Sequence, residues 1–286
     1  MKSNTFKYTL FLLAATFLMS SCQDVVDLDL PEGEEFLVVE GWITNEDRPQ
    51  EVKLTYTAAY FDDAPPTPAT DATVFLRDDE GMETLLEETS PGIYTYPDSG
   101  VVGRSYQLEI RSDNGETYLS TFEEIFEPVP IDTIVWELSE DEPDEEDGEN
   151  PDDIYDVLIF TQEPAGFGDN YRWRSILNGE EQQEPFDIFV GSDEFVDGNI
   201  IPNFNVTGDL YSQLDTVTII QERISRDARE FLELLQQQTA FVGGPFDSPP
   251  APIRGNIRNI NDPDDLALGF FGAAGRDRAT VVVGVE

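Results

Sequence analysis

The sequence predicts a mainly β protein, two β-sandwich-like domains of which the second carries one amphipathic helix. Three observations predict it. Short apolar runs with period-two alternation recur at roughly 10-residue spacing. Clusters of Gly, Pro, Asn and Asp punctuate them as turns. One late stretch has instead the 3.6-residue apolar period of a helix. The chain holds 19 Phe, 10 Tyr and 3 Trp, enough to build packed cores beside 60 acidic residues.

The first element is a leader. Lys2 and Lys7 form a basic start, and Leu10 to Met19 (LFLLAATFLM) is an apolar run of ten residues. A spanning helix needs about 20, so residues 1–21 read as a signal peptide. Ser20 and Ser21 precede Cys22, the only cysteine. The segment Leu18-Met19-Ser20-Ser21-Cys22 resembles the bacterial lipobox. That resemblance implies a diacylglycerol on the Cys22 thiol, cleavage before Cys22 and N-acylation of the new amino end. Two or three acyl chains hold a protein stably on a bilayer where one holds it marginally. The alternative is an ordinary secretory signal with a chance cysteine after the cut. Residues 22–35 (from Gln23, QDVVDLDLPEGEE) read as an acidic tether between lipid and body. The early acids resemble the export tags of surface-exposed lipoproteins. A plain solvated linker reads equally well.

Residues 36–127 read as an immunoglobulin- or transthyretin-like β-sandwich. Phe36 to Ile43 is the first strand and Thr44-Asn45-Glu46-Asp47 its turn. Val52 to Thr57 alternates. Three prolines make Asp62 to Pro68 a loop. Ala72 to Arg77, Thr84 to Glu88, Gly92 to Tyr96, Ser105 to Ile110 and Thr117 to Phe122 follow as strands, the last pair joined across Asp113-Asn114-Gly115, a hairpin signal. Glu127-Pro128-Val129-Pro130 is the expected boundary.

Residues 131–286 read as a second β-rich domain. Ile131 to Leu138 opens it. Loop 140–153 holds ten acids in 14 residues, a solvated segment without EF-hand spacing. Weak surface Ca²⁺ binding is the most it implies, and no specific metal site is assigned. Tyr155 to Thr161 and Tyr171 to Leu177 are strong strands, and Phe186 to Val190 is a further strand candidate. Gly191 to Leu210 reads as a long loop and Asp215 to Ile224 as a strand. The helix is expected over 225–240, with Ser225 as N-cap, Asp227 in the first turn, and Ala228, Phe231, Leu232 and Leu235 on one face. Gly243-Gly244-Pro245 stops it. Ile253 to Ile260, Ala267 to Phe271 and Thr280 to Val285 are read as closing strands.

Composition excludes much. The net charge of −44 argues against nucleic-acid binding. With no His, the Ser-His and Cys-His nucleophiles and most zinc, copper and haem sites are gone. One Cys permits no internal disulfide framework. Losing Lys2 and Lys7 leaves Lys53 as the last lysine. Such self-repulsion is best tolerated in brine, where screening is strong, so a salt-loving host is one reading and an acidic protein of an ordinary habitat the other.

For chemistry, P-loop, Gly-x-Ser-x-Gly and His-Glu-x-x-His motifs are missing. A carboxylate glycosidase needs two acids at set spacing, and sixty acids single out none. Trp42, Trp136 and Trp173 are candidate sugar platforms, yet each lies in a strand and reads first as core. Arg172 and Arg174 flank Trp173 on the opposite face. They read as partners of carboxylates before they read as an anion grip. The Pro-rich loops Tyr60 to Pro68 and Gly244 to Pro252 are candidate receptor-facing surfaces, or simply strand terminators.

Several motifs in order resemble a family. They are Val39-Glu40-Gly41-Trp42-Ile43-Thr44-Asn45, Asp71-Ala72-Thr73-Val74, Gly92-Ile93-Tyr94 and Gly103-Arg104-Ser105-Tyr106-Gln107-Leu108, then Gly244-Pro245-Phe246-Asp247, Ile253-Arg254-Gly255-Asn256-Ile257 and Leu268-Gly269-Phe270-Phe271. Together they resemble a domain-of-unknown-function family of Bacteroidetes-type lipoproteins, often encoded beside TonB-dependent receptors. The first domain also resembles the carboxypeptidase-regulatory or transthyretin-like sandwich. The family resemblance implies a non-enzymatic, lipid-anchored outer-membrane protein, accessory to a TonB-dependent β-barrel receptor or capturing its ligand. It supplies no catalytic residue and no cofactor beyond the lipid at Cys22. A stand-alone polysaccharide-binding or adhesion lipoprotein is the second expectation and a glycosidase the third.

Overall fold

The structure is a computed structural model that describes residues 35–58, 65–140, 154–239, 253–265 and 267–285. The leader, Cys22, nearly all of the tether, most of the acidic loop, residues 59–64 and residues 240–252 lie outside the described residues.

The described residues are mainly β with one long helix. The strands are β1 Leu37–Thr44, β2 Gln50–Tyr56, β3 Thr73–Asp78, β4 Glu83–Leu85, β5 Glu87–Ser90, β6 Ile93–Tyr96, β7 Ser105–Arg111, β8 Thr117–Ser120 and β9 Glu123–Glu124. Then come β10 Ile131–Leu138, β11 Ile154–Gln162, β12 Asn170–Leu177, β13 Glu180–Glu181, β14 Phe189–Ser192, β15 Ile200–Phe204, β16 Tyr211–Ser212 and β17 Thr216–Ile224. Helix α1 spans Arg226–Thr239, and β18 Ile257–Asn259 and β19 Ala267–Val282 close the chain.

Three sheets form two sandwiches. A nine-stranded sheet runs β13-β12-β17-β19-β1-β2-β6-β5, with β14 also on β12. One half faces the sheet β18-β8-β7-β3-β4, which β9 extends, across a core of Val39, Leu54, Leu108, Ile110 and Phe271. The other half faces β10-β11-β15, which β16 extends, across Val157, Ile159, Trp173, Val217 and Ile219. Each partner strand alternates, so these side chains point inward together.

The boundary expected at 127–130 does not separate the sheets. Strand β19 pairs in parallel with β1 over Leu37–Thr44 and antiparallel with β17 over Thr216–Arg223. Its odd residues serve both cores, Phe271 and Ala273 in the first, with Ala279 and Val281 packed on the second. Residues after 253 also enter the first sandwich, since β18 pairs with β8 and Ile257 joins that core. Each sandwich therefore needs the chain's last strands.

The two closing segments expected at 267–271 and 280–285 are one continuous strand. The intervening Gly272-Ala273-Ala274-Gly275-Arg276-Asp277-Arg278 looks unlike a strand because tight packing dictates its residues. A Cβ on Gly272 would stand 2.4 Å from the Trp42 ring, and one on Gly275 would stand 2.0 Å from the Phe126 carbonyl oxygen. Small residues let these neighbours approach.

Other expectations are corrected. The stretch 191–210 is not one loop: it continues β14, turns through a 3₁₀ helix at Asp193–Phe195, and contains β15. The strand expected at 186–190 begins only at Phe189, after a 3₁₀ turn at Pro185–Asp187. The expected strand over 84–88 is two short strands, and that over 253–260 shrinks to β18. The helix is as expected to within a residue. The Ser225 hydroxyl oxygen accepts the Ala228 N–H at 3.1 Å, and Ala228 and Leu232 pack with Ile224, Phe270 and Ala274. Phe231 stacks on Phe270 at 5.0 Å. Helix α1 thus covers the outer face of the long sheet near its middle. Among the described residues no helix is long and apolar enough to cross a membrane.

Candidate functional site

Among the described residues, two places gather several buried charged side chains. The first is a cross-strand row on the outer face of the long sheet. Register places Arg172 of β12, Glu222 of β17 and Arg276 of β19 side by side. Glu222 is fully buried. Its Oε1 accepts the Arg276 Nε–H at 2.9 Å and lies 3.4 Å from Arg174 Nη1, while Arg172 Nη1 is 3.7 Å from Oε2. Arg174 also pairs with Glu181, and Arg276 with Glu46 at 2.5 Å. Burial pushes the Glu222 carboxyl up, but Arg276, Arg172 and Arg174 outweigh it and hold it down at about 2. Burial pulls Arg172 down to about 10 against the pull of Glu222. Its guanidinium also lies 5.2 Å above the Trp42 ring. Arg172 and Arg174 are therefore engaged by carboxylates and an indole, and this row is a structural clamp across three strands.

The three Trp residues are equally committed. Trp173 is buried and donates its indole N–H to Gln221 Oε1 at 2.8 Å. Trp42 lies between Arg172 and Phe270, and Trp136 meets Tyr155 edge-on at 5.3 Å.

The second place is at one end of the second sandwich. Two loops leave it there, residues 163–169 between β11 and β12 and residues 193–199 between β14 and β15. Pairing brings them side by side, because Gln162 faces Ile200 and Asn170 faces Ser192. Backbone donors zip them together. Glu163 N–H reaches Asn199 O at 2.9 Å and Asp193 N–H reaches Asp169 O at 3.1 Å. Gly166 N–H reaches Asp197 Oδ1 at 2.5 Å, and Gly168 N–H reaches Asp193 Oδ2 at 2.7 Å. Gly166 and Gly168 have φ of 130° and 123°, a region that side chains avoid.

This zip encloses Glu163, Asp169 and Asp193, each with one carboxylate oxygen within 4.8 Å of the others'. They are 2%, 8% and 3% exposed. Glu163 Oε1 accepts the Tyr171 hydroxyl at 3.0 Å, and Asp169 Oδ1 pairs with Arg223. Asp169 Oδ2 is buried without a hydrogen-bond partner. Burial pushes the Glu163 carboxyl up to about 7; the Tyr171 bond opposes this and the neighbouring Asp169 and Asp193 reinforce it. Burial and Glu163 together push the Tyr171 hydroxyl up, which keeps it a donor. On the outside of the same loops Phe167 is 77% exposed and Phe195 87%.

Sequence reasoning missed this place. The only signals were the glycines at 166 and 168 and the acids at 163 and 169 between two strong strands, with the acids at 193 and 197 in a segment read as a loop. Conversely, Cys22 and the core of the acidic loop lie outside the described residues, as do residues 60–64 and 244–252 of the two Pro-rich loops.

Comparison with known proteins adds a family. No curated protein matches the sequence. Among solved structures, the Yersinia pseudotuberculosis adhesin InvE aligns at 13% identity over 66% of this chain with a TM-score of 0.19. The alignment spans 55% of that adhesin, little more than half its length. The family model of a domain of unknown function, DUF4249, matches residues 23–280. That span takes in the described sheets up to the last two residues of β19 and starts directly after Cys22, and the chain belongs to the DUF4249 family.

Proposed function

We propose that this chain is a lipid-anchored, non-enzymatic protein of the outer membrane that serves a TonB-dependent β-barrel receptor as accessory or ligand-capturing partner. The observation that carries the docking role is the loop pair 163–169 and 193–199. It presents Phe167 and Phe195 to solvent on a backbone already fixed by four cross-loop bonds. Contiguous exposed apolar surface marks contact sites, and these two rings are carried by loops that strand pairing sets side by side. Pre-fixed loops lose little entropy on docking. The anchor rests on the lipobox resemblance at Leu18 to Cys22, and the family match that begins at residue 23 supports reading the leader as separate from the body. A glycosidase presents its two carboxylates to a sugar ring, and the enclosed Glu163, Asp169 and Asp193 are not placed as such a pair.

The test is affinity capture through the full-length protein from detergent-solubilised outer membrane. The expected result is a β-barrel receptor recovered with the native chain and lost with the double substitution Phe167→Ser, Phe195→Ser. Failure to recover a barrel, or recovery unaffected by the substitutions, overturns the docking role. Mass spectrometry of the mature amino end, with Cys22→Ser as control, tests the anchor separately: an unmodified thiol removes it.

A further inference from the structure

We propose that Glu163, Asp169 and Asp193 bind one hard divalent cation, Ca²⁺ by preference, inside the loop pair of the second sandwich. The site is independent of the partner proposed above.

Three observations carry it. Two oxygens each about 2.4 Å from one Ca²⁺ can lie no more than about 4.8 Å apart, and the three carboxylate oxygens meet that limit. Second, each carboxylate has one oxygen occupied by a protein donor, from Tyr171, Arg223 and the Gly168 N–H. These bonds fix the orientation of each acid as outer-shell partners of a metal do. Third, Asp169 Oδ2 is buried without a hydrogen-bond partner, as is Glu222 Oε2, but Glu222 Oε2 has the Arg172 guanidinium 3.7 Å away, whereas the Arg223 pair of Asp169 is made through Oδ1. An anionic oxygen in that position costs several kcal/mol unless a cation meets it. A bound ion supplies the missing partner.

The charge count selects the valence. With Glu163 deprotonated, as ligation requires, three carboxylates less the Arg223 guanidinium leave a local charge that one divalent ion cancels. The donor set selects the ion. All three side chains offer oxygen, and the chain has no His, which disfavours zinc and copper. Mg²⁺ keeps several waters and strict octahedral geometry, and an enclosed site between two zipped loops suits it poorly. Ca²⁺ accepts mixed carboxylate, carbonyl and water ligands in looser geometry.

The structure also supplies a reporter. Tyr171 bonds to a ligand carboxylate, and Trp173 stacks on it at 5.6 Å. Tb³⁺ in this site is thus in range of two aromatic donors. In full-length protein stripped by chelator, Tb³⁺ is expected to give sensitised emission that saturates at one ion per chain and that Ca²⁺ displaces. Mg²⁺ is expected to displace it at least about tenfold less well. Glu163→Gln and Asp193→Asn each weaken Ca²⁺ binding by at least about tenfold, the loss that even an outer-shell partner produces. The exposed-acid control Asp113→Asn leaves it unchanged. Glu163→Gln keeps an acceptor for Tyr171, so it is the variant best placed to fold. Absence of saturable emission from the folded native chain overturns the proposal without any variant. Equal Ca²⁺ affinity in the native chain and both variants overturns it as well, since the surface acids then account for the binding.

Discussion

The same two strands carry opposite solutions to buried charge. On β12 and β17, Arg172 and Glu222 point to the outer face, while their chain neighbours Tyr171 and Arg223 serve the acids of the loop pair. The outer row sets one fully buried carboxylate among three guanidiniums. The loop pair sets three buried carboxylates against one. A one-residue step flips a strand side chain to the other face, so two electrostatic environments of opposite sign share one backbone. The first is neutralised by the protein itself. The second is neutralised only in part, by Arg223 and by the upward push on the Glu163 carboxyl, and the proposed cation would cancel the remainder.

The largest expected effect breaks the first cluster. Glu222→Gln leaves the guanidiniums of Arg172, Arg174 and Arg276 without their shared anion. Stability in denaturant titration should fall by about 3–5 kcal/mol, the range for removing one member of a buried pair. A loss under about 1 kcal/mol would mean that the row is solvated and that the contrast is false.

Acid sharpens the same point. Glu222 is held at about 2 in the fold, below the roughly 4.3 of an unfolded Glu. Its contribution is therefore fully present above about pH 4.5 and is lost as pH falls through about 2. Denaturant midpoints measured down that range should drop more steeply for the native chain than for Glu222→Gln, and parallel curves would contradict the assignment.

Ser225→Ala tests whether the helix that covers the long sheet is held by its cap. The Ser225 hydroxyl accepts from Ala228 N–H and donates to Glu123 at 2.6 Å. Loss of about 1 kcal/mol in the same titration is expected, with the outer row's acid response unchanged.

Much of this was legible in the sequence. Period-two alternation gave most strands, Ser225 and the 228–231–232–235 spacing gave the helix, and the flanking of Trp173 gave the pairing of Arg172 and Arg174 with carboxylates. What failed had a physical cause. Strand β19 was split because Gly272 to Gly275 are small for close packing, not for turning. The 191–210 segment hid β15 because Asn and Asp there read as loop-forming. The acidic triad was invisible because its members come from two loops that only strand pairing unites, and because sixty acids give any three of them no distinction.

The smallest effects separate the triad from the general acidity of the chain. In chelator, Glu163→Gln removes a buried like charge yet keeps an acceptor for Tyr171, so its cost should stay within about 1 kcal/mol or turn to a gain. That is the reverse of Glu222→Gln. Sodium chloride then acts on the surface: with a net charge of −44, screening relieves repulsion. The melting temperature should rise with salt equally in the native chain and in Glu163→Gln, because exposed acids outnumber the substitution. A melting temperature indifferent to salt would remove the idea of a protein fitted to brine. Ca²⁺ added at matched ionic strength should raise the native chain further, and the variant less, because an ion bound only by the folded state stabilises it by mass action. Screening cannot distinguish the two proteins, whereas a site can, so the difference between those two increments is the measurement that isolates the triad.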